Sequence, residues 1–221
     1  MLKYIKSGDF EPQEFVAQFP EELKIIGNTS FNNCDFHKIE FGENVKSVGN
    51  KAFSENKNLT EIVFNVKGKI QFGQKPFNGA QLTSVISKRR PEEWEIDFGE
   101  SAFMYMVRLN TFPFPKKVTA FGNLCFANCF NLKDTINVSG VGEVAQFALK
   151  VIRNESFENC KKLVKFEMPL YVNQIGYHAF KDCTALQNFK INNNMILLSM
   201  GCLCGCTQLQ SIQDIPRECF S

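Results

Sequence analysis

Histidine and tryptophan are nearly absent from this 221-residue chain, which holds two of the first and one of the second. His37 and His178 alone supply imidazole, and no phosphate loop, dinucleotide fingerprint or nucleophile elbow accompanies them. A Cys–His nucleophile would need Cys34 or Cys183, the nearest thiols in sequence, and both fall in a column assigned below to the core. Carboxylates are scattered, with no pair singled out for acid–base work. Charge of one sign is also lacking: 25 basic residues stand against 23 acidic ones, for a net charge of +2. That balance argues against a large electrostatic footprint for nucleic acid or anionic lipid. The short basic cluster Lys88-Arg89-Arg90 runs straight into Pro91-Glu92-Glu93 and reads as a solvated loop. No apolar run reaches the roughly 18 residues of a membrane-spanning helix. The opening Met1 to Asp9 carries no apolar signal region, which leaves two expectations: a cytoplasmic chain, or a trimmed piece of a secreted one.

What the chain has in excess is Phe, at 23 residues against 4 Tyr. The excess is periodic. Phe31, Phe53, Phe77, Phe103, Phe126, Phe157 and Phe180, with Leu203 in the same slot, are spaced by 22, 24, 26, 23, 31, 23 and 23 residues. Repeats of about 20–29 residues are the mark of leucine-rich-repeat solenoids. The register recurs around each anchor. Four residues before it stands Gly27, Gly49, Gly73, Gly99, Gly122 or Gly176, with Arg153 and Ser199 as exceptions. A small residue precedes the anchor, Cys recurs three residues after it, and a Leu column follows at five or six. Gly suits a turn needing positive φ, the small residue lets coils approach, and the Phe and Leu columns stack into one core. Each buried Phe contributes about 1.5–3 kcal/mol of transfer free energy.

Beyond each Leu, apolar and polar residues alternate, as in Leu163 to Met168 and Leu186 to Ile191, with Leu109 to Phe114 a looser case. Alternation is the period of a half-buried strand, so the fold expected is a right-handed repeat solenoid with a parallel concave sheet and short turns or strands on its other faces. Residues 1–22 do not fit the period. The apolar spacing of Phe15, Val16 and Phe19 suggests a small helical N-terminal cap there, with 23–221 forming about eight repeats and a possible truncated ninth at 216–221. Ser87 to Glu95 and Asn137 to Lys150 break the period and are expected as loops on one face.

Eight of the nine cysteines fall in repeat columns, five after an anchor and three before one; Cys204 alone does not. Reduced core thiols are the expected state. The alternatives are a disulfide between ladder neighbours such as Cys160 and Cys183, and a metal on Cys202, Cys204 and Cys206, whose one-residue gaps do not suit zinc. No metal and no cofactor is expected. Glycosylation triplets begin at Asn28, Asn58, Asn137 and Asn154 and decide little in a chain with this much Asn.

The strings Ile152 to Pro169 and Ile175 to Ile191, each with Ser-Phe or Ala-Phe, a Cys three residues on, then a Leu and a strand, resemble the BspA-like leucine-rich-repeat family. The resemblance covers roughly 23–215. It implies a surface or secreted protein of an anaerobic bacterium or parasitic protist, adhesion to host or matrix proteins, and no enzymatic role.

The function expected is therefore a non-catalytic module that binds a protein ligand and not nucleic acid. By register the contact residues are Lys38, Glu40, Glu61, Val63, Ser84, Ile86, Thr111, Pro113, Lys165, Glu167, Asn188, Lys190, Ser211 and Gln213. Val63, Ile86 and Pro113 would form an apolar patch among them. Two other readings compete: a spacer segment of a longer array with its ligand site elsewhere, and, more remotely, an enzyme.

Overall fold

The computed structural model describes residues 15–133, 135–137 and 149–213. Its regular elements are all short strands. In chain order they are β1 (Val16–Ala17), β2 (Ile25–Ile26), β3 (Lys38–Phe41), β4 (Ser47–Val48), β5 (Glu61–Phe64) and β6 (Gly68–Phe72). Then come β7 (Ser84–Ser87), β8 (Trp94–Phe98), β9 (Lys117–Phe121), β10 (Thr135–Asn137) and β11 (Val151–Ile152). The last are β12 (Lys165–Glu167), β13 (Gln174–Ile175), β14 (Asn188–Lys190), β15 (Leu197–Leu198) and β16 (Ser211–Gln213). Every pairing is parallel and joins one coil to the next, so the chain winds as a β-solenoid of about seven turns.

Two faces result. The front face carries the strands that follow the Leu column, and the back face carries an unbroken eight-stranded sheet. The front is not continuous. It consists of two four-stranded sheets, β1-β3-β5-β7 and β10-β12-β14-β16. The gap falls at Leu109 to Phe114, expected as a strand and found without regular structure. Pro113 and Pro115 have no N–H to donate to a ladder, and Phe114 N donates locally to Phe112 O at 2.8 Å. Phe112 still turns inward and meets Phe103 at 5.0 Å, so the core is kept while the sheet is lost.

The core is a stack of rings. Phe53, Phe77, Phe103, Phe126, Phe157 and Phe180 are each fully buried. Along the stack, neighbouring anchor centroids lie 5.4 Å apart for Phe103 and Phe126, 5.6 Å for Phe126 and Phe157, and 5.3 Å for Phe157 and Phe180. Interplanar angles there are 8°, 1° and 9°. The offset-stacked arrangement that aromatic rings favour fits one ring per coil. The backbone travels with them: Phe103 N donates to Cys125 O at 2.7 Å and Phe126 N to Ser156 O at 2.8 Å. The chain is left-handed two residues before and two residues after each anchor, as at Ser101 and Tyr105 around Phe103, with φ of 54° and 62°.

The Gly column acts differently from the expectation. Its members do not have positive φ. They are Gly because coils touch there: a Cβ on Gly49 would lie 2.6 Å from Asn28 N, and one on Gly122 would lie 2.6 Å from the Gly99 carbonyl carbon. Gly27, in the first of these coils, would meet only Ser30 Oγ at 3.1 Å.

Three other expectations change. Val16–Ala17 is a strand paired with Lys38–Ile39, so the helical cap is not found: among the described residues there is no helix, and residues 1–14 lie outside them. Phe15, Val16 and Phe19 share a spacing that suits a helix, but Ala17 is the residue that turns inward from a ladder continuing the front sheet. Trp94 is no loop residue either; it opens β8, buried and stacked on Phe64 at 5.0 Å. The basic cluster beside it is not merely solvated. Lys88 Nζ binds Glu40 Oε1 at 2.6 Å and Arg89 pairs with Glu43, fixing the loop to the front face. Of the second insertion, 138–148 lies outside the described residues, as does the possible ninth copy at 216–221.

Truncating Phe126 to Ala should lower unfolding free energy by about 3–5 kcal/mol, read from denaturant midpoints. Gly122→Ala should destabilise by about 1–3 kcal/mol because two backbones must part. Gly42→Ala, where a Cβ would touch nothing within 4 Å, should be close to neutral. Equal effects at Gly42 and Gly122 would contradict the close-approach account.

Candidate functional site

Strand register places the expected contact residues in rows. Lys38, Glu61 and Ser84 align across β3, β5 and β7, as do Glu40, Val63 and Ile86. On the second front sheet, Lys165, Asn188 and Ser211 form one row, and Glu167, Lys190 and Gln213 the other. Thr111 and Pro113 fall in the gap between the sheets, Thr111 exposed and Pro113 half-buried.

The rows differ in what they offer. On the first sheet Lys38 Nζ binds Glu61 Oε1 at 2.6 Å. Val63 is not open to solvent, with 1% of its surface exposed. The Lys88–Glu40 pair spans from the β7 side to β3, across the strand that carries Val63, so aliphatic stems lie over it. The three-residue apolar patch thus reduces to Ile86, 45% exposed on the edge strand β7, and the half-buried Pro113 one coil on. On the second sheet Lys165 and Glu167 bind each other at 2.5 Å, while Asn188 and Lys190 are exposed. The expected contact residues that stay open are Ile86, Thr111 and Pro113 at the gap, then Asn188 and Lys190 on β14.

Among the described residues, the thiols and the second imidazole named as possible nucleophile partners have other contacts. Cys34 Sγ points at Asn32 O at 3.9 Å, and His178 stacks on Tyr177 with ring centroids 3.7 Å apart. Cys183 donates to Phe157 O at 3.1 Å. Among the described residues no group of three His, Cys, Asp or Glu side chains could hold a metal ion.

The thiols form a ladder of their own. Cys129, Cys160, Cys183 and Cys206 each donate to the anchor carbonyl one coil earlier, at Phe103, Phe126, Phe157 and Phe180, over 3.1–3.2 Å. Asn56 does the same work in an early coil, donating through Nδ2 to Phe31 O at 2.8 Å and Phe53 O at 2.9 Å. This explains why Cys and Asn share a column: both are small and both donate. Cys160 and Cys183 are free thiols, each engaged with its own carbonyl. Burial pushes Cys129 up to about 12 and Cys202 and Cys206 to about 11. Cys125, Cys160 and Cys183 rise in the same direction, again chiefly through burial.

The matched sequence decides the family. The BspA-type leucine-rich-repeat model fits six copies over residues 3–133 and 143–220. The chain belongs to the BspA-type leucine-rich-repeat family. Its match from residue 3 agrees with β1 lying in the front ladder and extends the repeats over ground that the Phe register alone left out. A BspA-type solenoid is also what solved structures resemble. A leucine-rich repeat protein from Bacteroides ovatus is 21% identical, with a TM-score of 0.59 over 83% of this chain and 44% of that one. The present chain thus spans less than half the length of that protein. The T. pallidum leucine-rich repeat protein is 18% identical, with a TM-score of 0.61 over 79% of this chain and 78% of its own. At these identities the likeness concerns the fold. A search of curated proteins finds no match.

Raised thiol values have a sign. Folding holds these thiols protonated beyond the pH at which unfolded ones ionise, so the stability they contribute is complete below pH 9.0 and falls as pH rises toward about 12. Denaturant midpoints should therefore drop between pH 9.0 and 11. At neutral pH a thiol reagent should label the exposed Cys204 at once, and Cys129, Cys160 and Cys183 only on unfolding. Peptide mapping that finds Cys160 labelled in the native state would contradict the ladder.

Proposed function

We propose that this solenoid is a non-catalytic protein-binding module that recognises its ligand through the front face, in the setting of adhesion at a cell surface. One observation carries the reading: the register lines up side chains in rows across consecutive coils, and the break at Leu109 to Phe114 leaves Ile86 exposed on the edge strand β7, one coil before Thr111 and Pro113. Membership of a repeat family whose fold is typical of protein interaction supports it. An apolar residue ringed by polar rows has the makeup of an interface centre with a hydrated rim. The contact set is Ile86, Thr111 and Pro113, with Ser84, Lys165, Glu167, Asn188 and Lys190 around them and Lys38, Glu40 and Glu61 as a structured margin held in ion pairs. Ser211 and Gln213 extend the two rows by register.

The test is a pull-down from host extract to identify the ligand, followed by affinity measurement on variants. Ile86→Asp should weaken binding at least about tenfold, the loss of one central contact, while unfolding free energy changes by less than about 1 kcal/mol. Val63→Asp should instead destabilise by more than about 2 kcal/mol, because it buries a charge. Undiminished binding by a folded Ile86→Asp protein would remove the front face from the reading.

A further inference from the structure

Away from the front face, the turns that enter its strands carry an unusual group over three consecutive coils. Residues 104–110, 127–133 and 158–164 hold Arg108, Lys133, Lys161 and Lys162 against one acid, Glu158, which binds Lys181 at 3.0 Å. All four cations are exposed, and none has an acidic partner within ion-pair distance among the described residues. Two rings accompany them. Phe130 is 36% exposed, with Lys161 Nζ 5.4 Å from its centroid. Tyr105 is 58% exposed at a left-handed φ of 62°. Six of the eight equivalent positions hold Asn, Asp or Gly, the residues that tolerate this conformation. Tyr there is strained, and so exposed a ring recovers little by packing. The repeat imposes this backbone state in every coil, so what Tyr105 adds over Asn, Asp or Gly is an open ring on the surface.

We propose that this edge is a second interaction site, for an acidic polysaccharide bearing carboxylate or sulfate groups. Coils step by about 4.8 Å, so Arg108 and Lys162, at the same repeat position two coils apart, stand about 9.6 Å apart, with Lys133 two positions further along the coil between them. An acidic sugar polymer presents a charge on a similar repeat, and its C–H faces stack on an open ring such as Tyr105. An extended acidic peptide fits less well: same-face side chains recur at about 6.6 Å, and turn N–H groups such as those of Tyr105, Val107, Cys129 and Lys161 are already bonded within the chain. Single-stranded nucleic acid draws on successive open rings, whereas Lys161 covers Phe130 and leaves Tyr105 alone.

The experiment measures binding of the full chain to heparin oligosaccharides, which carry sulfate, and to oligogalacturonate, which carries carboxylate alone, with poly-glutamate and oligothymidylate as competitors. Binding to at least one sugar is expected, weakening with salt. Arg108→Glu and Lys162→Glu should each weaken it about tenfold, the scale of one charge-assisted contact. Tyr105→Gly should weaken it similarly while raising the thermal midpoint, since Gly is at ease in that backbone state. Ile86→Asp should leave it unchanged, which separates this site from the front face. No binding to either sugar, unaltered affinity in Tyr105→Gly, or displacement by poly-glutamate or oligothymidylate at lower charge concentration than sugar would overturn the assignment.

Discussion

Coils of this protein exist only in contact with one another. A single turn of chain has no opposing layer, and the ring of Phe126 is buried because Phe103 and Phe157 lie above and below it. Everything else is arranged to allow that contact. Glycine at positions such as Gly49 and Gly122 removes the Cβ that would hold two backbones apart. The small residue before each anchor accepts the anchor N–H of the preceding coil, and Cys or Asn after the anchor donates back to a carbonyl. The surface rows of the front face follow from the same stacking, since side chains align only if the coils keep register.

Much of this was legible in the sequence, because columns that stack must repeat. The anchors, the Leu column and the front-face rows could be read from spacing alone, and the repeat family from two strings in the C-terminal half. What escaped did so for identifiable reasons. Positive φ is the commonest use of a recurring glycine, but here the left-handed positions lie two residues either side of the anchor and are mostly held by other residues. Phe15, Val16 and Phe19 have a spacing common to helices and to irregular coil edges, and only the pairing of Val16 with Lys38 separates the two. Leu109 to Phe114 alternates well enough on paper, yet Pro113 and Pro115 cannot join a ladder.

The candidate site was legible in part. Strand register aligns twelve of the expected residues and leaves Thr111 and Pro113 in the gap, and exposure further depends on what folds over a row. Val63 sits at an outward position and is nonetheless covered, because Lys88 in the insertion reaches Glu40 two strands away. A contact of that kind depends on loop conformation and leaves no periodic trace. The same insertion that reads as a bare charged loop therefore shapes the face beside it. The front face and the basic edge both draw on one property of the fold: it presents chemistry at a fixed interval, and departures from the repeat decide where that chemistry is open.

Nearest-neighbour coupling through the ring stack is the claim on which the rest depends, and a double-mutant cycle tests it most directly. Phe103→Leu and Phe126→Leu, in adjacent coils, should couple by about 0.5–1.5 kcal/mol in unfolding free energy. Phe53→Leu and Phe157→Leu, separated by several coils, should add within about 0.5 kcal/mol. Additivity in the adjacent pair, or equal coupling in both pairs, would contradict a stack held together coil by coil.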